Sequence, residues 1–216
     1  LAYIEVDTAS DAVKFVGANV FVQSGAGSTY ESDEIGGSTT GLGNLIVGYD
    51  EEDASGAGKT GSHNLIVGPE HSYTSSGTVV FGENNQVLAR GAVAVGGSGN
   101  EASGTGSAVF GGTDNSAGGA DSIVVGGEWN DVAGEDSVIV GGTLNLAEGD
   151  NSVAVGGLEN WVMSDYGHAM GGYYNTVYGE LSGVLGGRGN EAWYDYVVVT
   201  GGYFETDSQN YDVVVP

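Results

Sequence analysis

Asn151-Ser-Val-Ala-Val-Gly-Gly157 is one copy of a pattern that returns every fifteen residues through more than half of the chain. Gly-Gly pairs stand at 96/97, 111/112, 126/127, 141/142, 156/157, 171/172, 186/187 and 201/202, an unbroken spacing of fifteen. A fixed spacing this short implies the stacked coils of a solenoid. Three mostly apolar residues precede each pair, as in Ala108-Val109-Phe110, Ile123-Val124-Val125 and Val138-Ile139-Val140. Such β-branched runs favour strands, so the expected fold is an all-β, parallel β-solenoid with coils of about fifteen residues. Three residues after the second glycine stands Asn100, Asn115, Asn130, Asn145, Asn160, Asn175 or Asn190, and Glu205 breaks the series. Further glycines follow at 104, 119, 134, 149 and 179. Gly and Asn tolerate φ > 0, so these columns are read as the corners of the coil. Amides stacked one coil apart can hydrogen-bond one another, and the asparagines are expected to form a structural ladder.

The 216 residues include 42 glycines and no cysteine, so disulfides do not hold the chain together. Glycine-rich chains are often disordered, but disorder does not explain strand formers in fixed columns. Twenty-nine acidic residues face four basic ones, Lys14, Lys59, Arg90 and Arg188, for a net charge of -25. That balance argues against nucleic acid and anionic membrane surfaces as partners, because phosphate binding needs Lys and Arg to replace counterions. No apolar run approaches the ~20 residues that span a bilayer, so membrane insertion of this segment is not expected.

Before the array, residues 1–40 are less regular and are read as an N-terminal β cap. Val13-Lys-Phe-Val and Asn19-Val-Phe-Val-Gln are its strands, parted by Gly17, and a Gly/Ser/Thr-rich loop runs from Ser24 to Thr40. Leu1 to Val6 could be the end of a helical stalk. Residues 41–90 form irregular first coils: Asn44-Leu-Ile-Val-Gly48 returns word for word as Asn64-Leu-Ile-Val-Gly68. The insertion 49–60, with Asp50, Glu51, Glu52 and Asp53, should bulge out as an acidic surface loop, solvated or holding a metal or partner. Residues 91–216 carry the regular repeats. Some eleven coils at ~4.8 Å each would give a rod of ~50 Å.

The triplets carry a further inference. A strand with one wet face should alternate apolar and polar residues, yet three successive positions are apolar. A narrow coil has one interior, here expected to take the outer two positions of each triplet, such as Val153 and Val155. The middle column, Val93, Val109, Val124, Ile139, Ala154, Ala169, Val184 and Val199, would then need cover from outside. A second copy of the chain in a symmetric homo-oligomer would supply it, and a flattened coil burying both faces is the alternative.

The words Ser107-Ala-Val-Phe-Gly, Ser122-Ile-Val-Val-Gly, Ser137-Val-Ile-Val-Gly and Ser152-Val-Ala-Val-Gly resemble the S-V-A-I-G repeat of the YadA-like heads of trimeric autotransporter adhesins. The likeness covers about 41 to 215. It implies a homotrimer of left-handed parallel β-rolls with this strand near the three-fold axis, and a head that binds host matrix or other surfaces. Gly41-Leu-Gly-Asn-Leu-Ile-Val-Gly and Gly61-Ser-His-Asn-Leu-Ile-Val-Gly are also similar to repeats of secreted bacterial proteins with a short coiled coil ahead of them. The period departs from the family's usual fourteen, with an added Gly-Gly and Asn. If Pro216 is the true end, the head is a C-terminal tip.

Two more columns could carry chemistry. Glu135, Asp150, Asp165, Glu180 and Asp195 share one register. Unit charges one coil apart repel by roughly 1 kcal/mol in water and more at a protein surface, so such a column needs splaying, salt or cations. Calcium would suit as an oxygen-seeking cation; a solvated acidic face is the plainer reading. From Trp161 onward aromatics crowd the coils, among them Tyr173, Tyr174, Tyr178, Trp193, Tyr194, Tyr203 and Phe204. Exposed rings of this kind offer platforms for a surface glycan or protein ligand; packing between subunits, or widening of the distal coils, is the alternative.

Catalysis fits poorly. His63, His71 and His168 lie in different coils, and acids such as Asp165 and Glu180, which could pair as acid and base, recur in register rather than forming one special site. The expected function is therefore non-enzymatic: an adhesin-like head and rigid rod, extracellular or on a bacterial cell surface. The alternatives are a receptor-binding or spacer segment of a tail-fibre-like apparatus, or a structural subunit of an extracellular filament. Pro216, which cannot donate to a further strand, weakly opposes the filament.

Overall fold

The computed structural model describes residues 3–29, 39–53, 56, 58–207 and 209–215. Leu1, Pro216 and the 30–38 part of the Ser24–Thr40 loop lie outside the described residues. The chain is an all-β, parallel β-solenoid of about ten turns with coils of about fifteen residues. Each regular coil contributes one strand to a first, twelve-stranded sheet and a shorter one to a second, nine-stranded sheet. Single-residue bridges from Ser98 through Thr113, Glu128, Thr143, Leu158, Tyr173 and Arg188 to Tyr203 form a third parallel ladder.

Registers follow the sequence period. Ala108 pairs with Ile123 and Ile123 with Val138, one coil on each time. The first coils are spaced differently, with Leu45 opposite Leu65 and Leu65 opposite Val79. The change to the longer period is a bulge between Val79–Glu83 and Val93–Ser98. Phe81 pairs with Val95 but Glu83 with Ser98, so Gly82 alone opposes Gly96-Gly97. The second glycine of each pair is thus the residue that lengthens the coil.

The interior follows the two-residue period of a strand. Ser107, Val109, Asn115, Ala117 and Gly119 point in, while Ala108 and Phe110 point out. The core is accordingly two columns of small apolar side chains. Ile66, Val80, Ala94, Val109, Val124, Ile139, Ala154, Ala169, Val184 and Val199 come from the first sheet. Tyr73, Val87, Ala102, Ala117, Val132, Ala147, Val162, Val177 and Ala192 come from the second. This reverses the expected facing of the triplets. The middle positions Val109, Val124, Ile139, Ala154, Ala169, Val184 and Val199 are the buried core of the coil, and Val93 belongs to an outward column, with Ala94 in its place. So narrow a coil has room for one inward side chain per triplet. The outward column of Phe110, Val125, Val140, Val155, Met170 and Leu185 is the one left exposed, Val140 at 42%.

The corners also differ from expectation. The asparagines and the glycines at 104, 119, 134 and 149 do not take positive φ. Left-handed backbone falls at the Gly-Gly pairs, at the residue before each Asn, and at the column Gly106, Asp121, Asp136, Asn151, Tyr166, Leu181, Tyr196 and Tyr211.

At the N-terminus, Ile4–Asp7 pairs antiparallel with Ala12–Phe15. Ile4 to Val6 are therefore strand rather than helix, and residues 19–23, expected as a strand, are irregular. Lys14 bonds Asp7 at 2.6 Å and holds that carboxyl down to about 2. Val20 and Val22 line a cleft with Leu45, Leu65 and Val79, so this segment lies beside the outer face of the first coils. At the distal end, Asp207 takes the next place in the second core column. Its carboxylate accepts the N–H groups of Trp193 and Tyr194 at 2.6 and 2.9 Å, ending the second sheet.

Candidate functional site

The asparagine column is a continuous buried ladder. Asn115 Oδ1 accepts both the backbone N–H and the Nδ2 of Asn130 at 3.0 Å, and Asn130 Nδ2 also donates to Gly142 O at 3.1 Å. His71 opens it, its Nδ1 accepting the N–H of Asn85, and Glu205 N closes it on Asn190 Oδ1. Every polar atom of these amides faces backbone or a neighbouring amide, which gives the column a structural role.

The acidic register is built similarly, on the surface. Asp150 Oδ1 accepts the N–H of Glu135 at 2.9 Å, Asp165 that of Asp150 at 3.0 Å, and Asp195 that of Glu180 at 2.9 Å. Each aspartate caps the coil before it, a use of the carboxylate that needs no cation. Among the described residues no group of three His, Asp or Glu gathers as a metal site. In the 49–60 insertion, Asp50 accepts the Tyr73 hydroxyl at 2.9 Å and pairs with Lys59 at 3.2 Å. Burial, then the bond to Asp50, pushes the Tyr73 phenol well above its ordinary range.

Aromatic side chains dominate what remains exposed. Trp129, Tyr166, Tyr174, Tyr196, Phe204 and Tyr211 occupy left-handed corners, whereas Tyr178, Trp193, Tyr194 and Tyr203 do not. One corner column runs Gly99, Asp114, Trp129, Leu144, Glu159, Tyr174, Gly189, Phe204, and the other ends in Tyr166, Leu181, Tyr196 and Tyr211, all with φ between 52° and 71°. Left-handed backbone costs a bulky residue roughly 1–2 kcal/mol, and these side chains point to solvent, Phe204 at 60% and Tyr211 at 75% exposure.

Neighbouring rings stack along the coil axis. Tyr178 and Trp193 are parallel within 21° at 4.3 Å, and Tyr196 and Tyr211 within 5° at 4.7 Å. The indole of Trp193 is fixed by its Nε1 donating to Glu191 at 2.8 Å. Tyr173 and Tyr174 touch at 4.0 Å and Tyr203 and Phe204 at 4.4 Å, with the Arg188 guanidinium between the pairs.

No protein-family model matches this chain, and no curated protein matches it.

The candidate residues therefore fall into two clusters separated by the strand Thr176–Val177. Tyr178 and Trp193, with Tyr194 beside them, lie on the outer flank of the second sheet; Tyr173, Tyr174, Tyr203 and Phe204 form the corner ahead of it. Arg188 and Leu181 were missing from the sequence-derived aromatic set, and Tyr166, Tyr196 and Tyr211, which belong to that set, were not singled out as ligand-binding; Leu181 shares one column with these three tyrosines. Aligning the coils at fifteen puts these last four in the column of Asp121, Asp136 and Asn151, and that alignment was the available signal.

Proposed function

We propose that this chain is a non-enzymatic binding head of the adhesin kind, displayed outside a bacterial cell, whose distal coils present aromatic corners to a glycan on a surface. The observation that carries the reading is the replacement of Gly106, Asp121, Asp136 and Asn151 of the earlier coils by Tyr166, Leu181, Tyr196 and Tyr211 at left-handed, solvent-facing corners. That choice costs backbone strain and exposes apolar area, and the earlier coils close well without it; strain kept at an exposed site points to function. Flat rings stacked at coil spacing suit the apolar faces of successive sugar rings.

The head is a homotrimer of left-handed coils joined through the outer face of the first sheet. In support, the flanking columns from Val93 to Val198 and from Val95 to Leu185 contain no carboxylate in a chain with twenty-nine acidic residues. This stripe runs some seven coils, or ~35 Å. A patch of that length exceeds what soluble monomers usually leave open.

A glycan array probed with the whole chain tests the binding reading. Tyr196→Ala combined with Tyr211→Ala, which removes the stacked pair at two of these corners, should abolish the signal, and a blank array for the unaltered chain would overturn the glycan reading in favour of a protein ligand. Light scattering tests the assembly, where a mass near three times 21.7 kDa is expected and a monomer would refute it.

A further inference from the structure

Arg188 stands in the bridge column, where Ser98, Thr113, Thr143 and Leu158 make the same backbone contacts, so stacking does not require an arginine there. Its guanidinium lies 5.2 Å from the Tyr173 ring centroid and 5.5 Å from that of Tyr203, one coil to either side. Tyr174 and Phe204 extend each side into a pair of rings. The next residue, Gly189, lets the Phe204 ring close over it, since a Cβ there would meet that ring at 2.4 Å. Lys14 and Lys59 are paired with Asp7 and Asp50, but among the described residues Arg188 has neither an ion pair nor a side-chain hydrogen bond. The side chain is exposed, and the four rings restrict it so that one edge of the fork is free.

We propose that Arg188 and the rings of Tyr173, Tyr174, Tyr203 and Phe204 form a site for a carboxylate-bearing sugar, such as a uronic acid, within a largely neutral glycan. The free edge takes the carboxylate in a bidentate pair, and the rings take the apolar faces of the pyranose. The net charge of -25 sets the class of glycan. A polymer acidic at every residue is repelled by the surrounding carboxylates, whereas a single acidic sugar feels them only within a Debye length of ~8 Å at physiological salt. This site rests on the glycan-binding reading and refines it.

The test is calorimetric titration of the full chain with an oligosaccharide carrying one glucuronic acid, and with its carboxyl-reduced counterpart. The acidic form should bind ~10-fold more tightly, the worth of one charge-assisted pair. Arg188→Gln should bring the two forms to equal affinity with the molar mass unchanged, and Arg188→Lys should restore only part of the preference. Equal affinity of the unaltered chain for both forms would overturn the site while leaving glycan binding intact. A preference that survives Arg188→Gln would overturn it too. So would a change of molar mass in that variant, because Arg188 would then be a contact between copies. Binding of neither form would also overturn it, and the glycan reading then stands or falls on the array.

Discussion

Glycines at neighbouring positions do different work here. Both Gly141 and Gly142 have positive φ, but a Cβ on Gly141 would meet nothing within 4 Å. One on Gly142 would lie 2.3 Å from Asn145 Nδ2 and 2.6 Å from Gly157 O. Gly141→Asn should therefore shift the melting temperature little, while Gly142→Ala should destabilise by about 2–4 kcal/mol, through strain and a displaced ladder amide. Thermal denaturation of the two variants side by side checks this. Leu181→Asn is expected to go the other way. It relieves a bulky left-handed corner and should stabilise by up to about 1 kcal/mol, as anticipated if Leu181 is kept for binding. Tyr73 gives the pH signature. Its folded-state phenol is raised, so its contribution is complete below the ordinary value of 10.0 and is lost as pH rises, when the unfolded chain ionises first. In an alkaline absorbance titration Tyr73 should be among the last phenols to ionise, and Tyr73→Phe should remove that late step.

Among the elements, the two ladders respond to opposite changes. The asparagine ladder is buried and neutral, so it should be indifferent to salt but sensitive to deletion. Asn130→Ala would strand the N–H of Asn145 and leave its Nδ2 only the longer bonds to Gly141 O and Gly157 O, at a cost of about 1–3 kcal/mol. The acidic ladder is exposed and charged. Its aspartates accept backbone N–H groups, which an amide oxygen can also do, so Asp150→Asn should keep the cap and relieve repulsion. Raising sodium chloride should raise the melting temperature of the unaltered chain. Calcium should do no more than sodium at equal ionic strength; a larger calcium effect, reversed by chelator, would make the column a cation site after all.

For the whole molecule, the decisive contrast lies between adjacent residues of one strand. Ile139 is buried in the coil and Val140 is outside it. Ile139→Ala should lower stability by about 2–4 kcal/mol, the usual cost of a core cavity. Val140→Glu should leave the circular dichroism of the coil intact and, with the homotrimer proposed above, cut the molar mass to that of one chain. A Val140→Glu protein with unchanged mass would place the assembly surface elsewhere.

The sequence alone was enough for the period, the strands, the stacking of the asparagines and the break in regularity before residue 91, but not for the burial of that column. Each of these is a repeated local preference, and repetition turned weak preferences into columns. Which member of a triplet points inward was not legible in the triplet itself, because three apolar residues satisfy either parity. The tertiary structure decided it through the width of the coil: two sheets this close admit one inward side chain per triplet, and Ser107 and Asn115 lie on the same inward parity as Val109 and Ala117. The bulky left-handed corners were hidden for the opposite reason. Local preference argues against Tyr166, Tyr174 or Phe204 at positive φ, and only the coil-to-coil register forces them into it. The same register sets Arg188 between two tyrosines that are fifteen residues away on either side.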